Sequence, residues 1–167
     1  KISSYLLYSQ MRTFSNHNVQ NLKKRIKERK NLVKILKYKE IYEKTQCDII
    51  GHFDLVAKFI EQSPIFSESH PRYIAARDEA LAALLETPAI FEINTGAISR
   101  GYRTEAYPND YFLNVIRELG GSVTYSSDAH DARYILLGFD DVVKRAKAAG
   151  FKSFKKLTEN GWTDEEI

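Results

Sequence analysis

The 167-residue chain contains one cysteine, Cys47, and no apolar run that approaches the ~20 residues of a membrane span. A single cysteine excludes an intramolecular disulfide framework and is typical of a reducing compartment. The first residues lack the long apolar core and the small-residue cleavage site of a signal peptide. We therefore expect a soluble, cytoplasmic protein without a membrane partner. Because the chain begins with Lys1 rather than methionine, we also expect a fragment or a trimmed product.

Charge is unevenly distributed along the chain. Residues 1–46 contain twelve Lys or Arg and three acids, a net charge of +9, whereas residues 47–167 carry a net charge of −6. The basic segment has no proline or glycine, and its apolar residues recur at steps of three and four, which predicts one long amphipathic helix or two shorter ones. The run KKRIKERK suggests a nucleic-acid surface, but aromatic residues are not interleaved with its charges. We therefore favour a solvated helix face and expect no nucleic-acid partner.

Residues 47–167 alternate short apolar segments with helical patterns. The predicted strands are Cys47–Ile50, Ala89–Ile93, Ser122–Ser126 and Phe151–Lys155. The predicted helices are Pro71–Leu85, Pro108–Leu119 and Asp140–Ala149. This alternation indicates a mostly parallel α/β sheet or barrel, in which ligand sites gather at the carboxyl ends of the strands.

Polar residues capable of chemistry follow three of these strands. Asp128 and His130 lie two residues apart, and His52 and Asp54 repeat that spacing after an earlier strand. A carboxylate and an imidazole on the same side can ligate one metal ion or two neighbouring ones, and these donors suit Zn, Mn or Fe. The alternative for each histidine is a structural side chain with satisfied hydrogen bonds.

Three further residues near these strand ends have two readings each. Glu92, inside a predicted strand, braces an arginine or orients a metal-bound histidine. Arg100 and Arg103 flank a glycine-containing turn and are able to clamp an oxyanion such as phosphate. Salt bridges to nearby acids are the alternative for both arginines.

The chain from about residue 38 to 162 resembles the C-terminal portion of a histidinol-phosphatase of the PHP superfamily. The matching segments, in order, are CDIIGHFDLVAKF, PRYIAARDEALAALL, AIFEINTGAISRGYRTEAYP and TYSSDAHDARYILLGFDD. The resemblance implies a partial distorted (βα) barrel of the PHP type, here preceded by a basic N-terminal helix. It also implies metal-dependent hydrolysis of a small phosphate ester, histidinol phosphate, in histidine biosynthesis.

The resemblance assigns roles to individual residues. His52, Asp128 and His130 match metal ligands, Arg100 matches the residue expected to bind the substrate phosphate, and Arg103 is the second choice for that role. Glu92 and Asn94 are expected to shape the floor of the site. The implied reaction is attack of a metal-bound hydroxide on phosphorus, with no catalytic side chain beyond the metal ligands.

Part of the family's pattern has no counterpart in this chain. Its opening His-x-His motif, the next histidine and a bridging glutamate are missing, and Met11 stands where another ligand histidine is expected. We therefore expect an incomplete cluster of divalent metals. A partial barrel exposes sheet edges, so we also expect a homo-oligomer. The alternatives are a non-catalytic remnant of the fold and a binding module carried by the basic helix.

Overall fold

The computed structural model of the chain describes residue 40 and residues 42–167. Most of the predicted basic N-terminal segment, including Met11, therefore lies outside the described residues. The described strands are β1 (Ile49–Ile50), β2 (Ile90–Asn94), β3 (Val123–Ser126), β4 (Ser153–Thr158) and β5 (Gly161–Glu166). The described α-helices are α1 (Pro71–Leu85), α2 (Gly96–Ser99), α3 (Asp110–Glu118) and α4 (Phe139–Ala149). None of these helices is long and apolar enough to cross a bilayer.

The first three strands form a parallel sheet in the order β1-β2-β3. Ile50 pairs with Phe91 at one side of β2, and Asn94 pairs with Ser126 at the other. The central strand β2 is buried at four of its five positions, as expected for a parallel strand covered on both faces. Because the three strands run in the same direction, their carboxyl ends meet at one edge of the sheet.

Helices α1, α3 and α4 pack their apolar faces into one core with β2, β3 and β4. The core includes Leu81, Phe91, Ile93, Phe112, Val115, Ile116, Val123, Val142 and Phe154. Local signals define the helix ends: Pro71 occupies the first turn of α1, and the Asn109 side chain accepts two backbone N–H bonds at the start of α3. Gly150 ends α4 in the left-handed conformation that glycine adopts without strain.

The parallel strands and the main helices agree with the sequence prediction, with α1 matching its predicted bounds and the others shifted by one or two residues. Two details were wrong. Strand β1 begins at Ile49, so Cys47 lies before it and is only partly buried. The exposed His70 caps α1 by accepting the N–H of Arg72 at 3.2 Å.

The second error concerns the end of the chain. The predicted strand Phe151–Lys155 begins instead at Ser153, extends to Thr158 and turns back into β5, which was not predicted. The two strands form an antiparallel hairpin, and Phe154 packs against Tyr125 of β3 with ring centres 4.8 Å apart. The described part of the chain is thus a mixed α/β structure, and the barrel stays a prediction.

Candidate functional site

Side chains from all three parallel strands meet at the carboxyl edge of the sheet. His52 follows β1, Asn94 ends β2 and Asp128 follows β3. The Nε2 atom of His52 lies 3.1 Å from Asp128 Oδ2 and 3.1 Å from Asn94 Nδ2. Together with Glu92 and Arg100, these residues form what we call the strand-end cluster. The parallel topology thus assembles residues that are up to 76 positions apart.

Two members of the strand-end cluster have strained backbones. His52 has φ of 50° and Asp128 has φ of 46°, in the left-handed region that side chains other than glycine rarely adopt. Each such residue costs about 1–3 kcal/mol, and such residues concentrate at functional sites. Here the two strained residues contact each other directly, so the contacts around this pair of side chains must offset the cost of both strained backbones.

Arg100 is attached to Asp128 through both side chain and backbone. Its Nη2 donates to Asp128 Oδ2 at 2.7 Å and its Nη1 donates to the Asp128 carbonyl at 3.0 Å. Burial raises the pKa of Asp128, but hydrogen bonds from Arg100 and His52 outweigh burial and hold it below the usual value. The Asp128 side chain is therefore a carboxylate at neutral pH.

A glycine makes this close approach possible. A Cβ atom on Gly96 would lie 2.6 Å from Arg100 Nη2 and 2.7 Å from Asp128 Oδ2, closer than real Cβ contacts. The Gly96 N–H also donates to Asn94 Oδ1 at 2.9 Å. Gly96 follows a predicted strand, but no sequence pattern explains why a glycine is needed there. The structure explains it, because a Cβ at this position would clash with the contact between Arg100 and Asp128.

Glu92 orients His52 from inside the sheet. Its Oε2 accepts the His52 backbone N–H at 3.2 Å and lies 3.5 Å from His52 Nδ1. Its Oε1 accepts a 2.6 Å hydrogen bond from the Ser126 hydroxyl, a residue that the sequence analysis did not select. Because Ser126 faces Glu92 only through strand register, no local sequence signal identifies it.

Asn94 gives His52 a choice of partners. Since Asn94 Oδ1 accepts the Gly96 N–H, its Nδ2 donor faces His52 Nε2. A neutral Nε2 accepts from Asn94, whereas a protonated Nε2 donates to Asp128. Nε2 therefore has a hydrogen-bond partner in either tautomer of the ring.

His130 lies at the outer side of the same carboxylate. Its side chain is 75% exposed, and its Nε2 lies 3.6 Å from Asp128 Oδ1. Asp128 therefore presents one oxygen to His52 and the other to His130. The structure brings these three predicted ligands together around one carboxylate.

Arg103 and Asp54 are directed elsewhere. Arg103 Nη1 donates to Asp54 Oδ2 at 3.3 Å, and Arg103 Nη2 donates to Glu105 at 2.7 Å. Tyr73 also donates to Asp54, at 3.2 Å. Arg103 and Asp54 are both buried, so they form an ion pair inside the protein beside the strand-end cluster.

The described residues do not by themselves make a metal centre. Among them, no group of three or more His, Cys, Asp or Glu side chains is arranged to hold a metal ion. Imidazole and carboxylate are suitable donors, but each Asp128 oxygen meets only one histidine and Arg100 shares Oδ2. A catalytic site needs about three protein ligands on one metal. The described residues provide donors in pairs, His52 with Asp128 and Asp128 with His130, rather than three donors around one position.

Comparison with known proteins identifies two curated relatives and no matching protein-family model. A probable histidinol-phosphatase of Schizosaccharomyces pombe is 32% identical over 93 residues, covering 54% of this chain and 30% of the relative. A histidinol-phosphatase of Bacillus subtilis is 27% identical over 96 residues, covering 58% and 35%. The chain thus spans about a third of the length of these relatives. It is similar to histidinol-phosphatases over about half of its own length, and membership of the PHP superfamily stays a prediction.

Proposed function

We propose that this chain is part of a phosphoric monoester hydrolase that acts on histidinol phosphate in histidine biosynthesis, and that the strand-end cluster belongs to its active site. The names of the two relatives support the reaction class. The observation that carries the site is the Arg100–Asp128 contact beside His52, at the sheet edge where α/β folds bind ligands. Both Asp128 and His52 adopt a strained backbone there.

Arg100 is the residue that binds the phosphate group. Its hydrogen bonds to Asp128 use two of the five N–H donors of a guanidinium, and the other three bond to none of the described residues. Asp128 fixes the orientation of the guanidinium, so less freedom is lost when the anion binds. A fixed guanidinium with free donors recognises two phosphate oxygens at once.

His52 is held in a fixed orientation at the phosphate position. Its Nε2 lies 3.1 Å from both Asp128 Oδ2 and Asn94 Nδ2. Glu92 keeps the ring in place from the Nδ1 side. In this role His52 contributes an oriented imidazole ligand and Arg100 neutralises phosphate charge.

The proposal includes a divalent metal, Zn, Mn or Fe, with His52, Asp128 and His130 among its ligands. Such an ion supplies charge neutralisation at phosphate oxygens when it is bound. Because the described residues offer donor pairs only, the remaining ligands must come from other parts of the protein or from a second copy. Metal analysis by plasma mass spectrometry, on the wild type beside an Asp128→Ala/His130→Ala variant, tests this part: metal that vanishes in the variant supports it, and a metal-free wild type contradicts it.

Hydrolysis of L-histidinol phosphate, followed by phosphate release, tests the reaction. We expect Arg100→Lys to raise KM because lysine loses the planar fork. The matched control is Arg133→Lys, since Arg133 is exposed and pairs with its neighbour Asp131. Equal KM values for Arg100→Lys and Arg133→Lys would remove Arg100 from the site.

A non-catalytic remnant of the fold is the second candidate, favoured by the lack of a three-ligand group among the described residues. Under this proposal the chain binds phosphate without hydrolysing it.

The binding module in the basic helix falls on residues outside the described part; loss of heparin retention after neutralising Lys23, Lys24, Arg25 and Lys27 would support it. The expected homo-oligomer, formed through sheet edges, is tested by light scattering.

A further inference from the structure

Tyr107 has a buried hydroxyl that makes no hydrogen bond with any described residue. The residue is 1% exposed, and its main chain is fixed against the last residue of β2: Asn94 N–H donates to the Tyr107 carbonyl at 2.8 Å, and Tyr107 N–H donates to the Asn94 carbonyl at 2.9 Å. A buried hydroxyl without a partner is unfavourable and rare in folded proteins. This one lies directly beside the strand-end cluster.

The ring of Tyr107 lies beside the strand-end cluster and near charged side chains of both signs. Its ring centre lies 6.2 Å from that of His52 and 5.1 Å from the guanidinium carbon of Arg103. Burial raises the pKa of Tyr107, and nearby charges of both signs act on it: Arg103 and Arg100 lower it, whereas Asp54 and Glu61 raise it. The hydroxyl therefore keeps its proton at neutral pH and is able to donate a hydrogen bond.

Rigid support keeps the tyrosine in this place. Arg145, on α4, donates to the carbonyls on both sides of Tyr107, to Ala106 at 3.1 Å and to Pro108 at 2.8 Å. The hydroxyl therefore has little freedom to turn towards solvent for a partner. A donor held in one position beside the strand-end cluster suits a ligand that brings a hydrogen-bond acceptor.

We propose that the Tyr107 hydroxyl is a further ligand of the substrate's phosphate group, donating to a phosphate oxygen beside Arg100. This inference rests on the proposed function, since it uses the same phosphate position. It adds a neutral donor to the cationic one, and it explains a polar atom that the described residues leave unsatisfied. No covalent step involves the tyrosine.

Calorimetric titration of the 167-residue chain with inorganic phosphate and with histidinol phosphate tests the inference. We expect Tyr107→Phe to raise both dissociation constants about tenfold, because a hydrogen bond to a charged group is lost. We expect no loss of thermal stability, because the deleted hydroxyl has no partner within the described residues. The matched control is Tyr111→Phe: the Tyr111 hydroxyl donates to Asp78 at 3.0 Å, so its loss should lower the melting temperature and leave phosphate affinity unchanged.

The other outcomes separate this inference from the proposed function. If Arg100→Lys weakens phosphate binding and Tyr107→Phe does not, the inference is overturned and the phosphate site stands. Unchanged affinity together with a lower melting temperature for Tyr107→Phe also overturns it, because the hydroxyl then serves an internal water molecule. A folded wild type that binds neither phosphate nor histidinol phosphate overturns both. Circular dichroism at the titration temperature shows that each variant is folded.

Discussion

Replacement of Arg103 by methionine tests how the region beneath the strand-end cluster is held together. The Arg103 side chain is 2% exposed and that of its partner Asp54 is 0% exposed. Methionine keeps an unbranched side chain in the same space but leaves the Asp54 carboxylate with the Tyr73 hydroxyl as its only side-chain donor among the described residues. Removing one partner of a buried ion pair costs about 3–5 kcal/mol, because the other charge stays buried without compensation.

Protonation of Asp54 limits this loss and makes it depend on pH. Burial raises the pKa of Asp54, and Arg103 opposes the rise. Without Arg103, the buried Asp54 carboxyl binds a proton and becomes neutral. Protonation costs about 1.4 kcal/mol for each pH unit above the unfolded-state pKa of about 3.9. The unfolding free energy that Arg103→Met loses through Asp54 therefore does not exceed about 4 kcal/mol at pH 7 and about 1.5 kcal/mol at pH 5. Because the folded-state pKa is the higher one, stability is retained at low pH and lost as pH rises towards that pKa.

Urea unfolding of the wild type and Arg103→Met at pH 7 and pH 5 measures this effect. We expect the difference in unfolding free energy to be smaller at the lower pH, by no more than about 2.5 kcal/mol, because Asp54 in the wild type also has a raised pKa. Arg133→Met is the control and should leave stability unchanged at either pH, because Arg133 is exposed. An Arg103→Met variant as stable as the wild type at pH 7 would refute the reasoning. If that variant also lost phosphate binding, Arg103 would be a phosphate ligand, the alternative predicted from the sequence.

Three further predictions concern the strand-end cluster and its support. Gly96→Ala should weaken phosphate binding about tenfold in calorimetric titration, because the new Cβ displaces Arg100 from Asp128. Arg145→Lys should lower the unfolding free energy by about 1–3 kcal/mol in urea, since lysine cannot bond two carbonyls in the same fork. Burial raises the pKa of Asp128, but its hydrogen bonds lower that pKa by more, so the folded-state value lies below the unfolded one. The ionised carboxylate therefore stabilises the fold above about pH 4, and this stabilisation is lost as pH falls through the folded-state pKa. Asp128→Asn should therefore flatten the acid limb of a urea-midpoint profile, and an unchanged limb would contradict this assignment.

Local patterns were enough to predict the parallel part of the fold. Helix α1 has its proline and its apolar spacing within the sequence itself, and both bounds agree with the prediction. Strand β5 was missed because it is polar and none of its residues is buried, so it lacks the apolar run of a buried strand. The position of the β4–β5 hairpin depends on Phe154 packing against Tyr125 of β3, a contact with no local signature.

The sequence by itself determined which chemistry is present at the strand ends: His52, Asn94 and Asp128 each follow an apolar segment, and parallel strands end at one edge. Only the tertiary structure decided which partners these groups have. Glu92 and Ser126 meet through the register of β2 and β3. Arg100 turns to Asp128 while Arg103, three residues later, turns to Asp54. The reason is that a strand pattern specifies which face a residue is on, whereas an ion pair or an unpartnered hydroxyl depends on the distance between segments far apart in the chain.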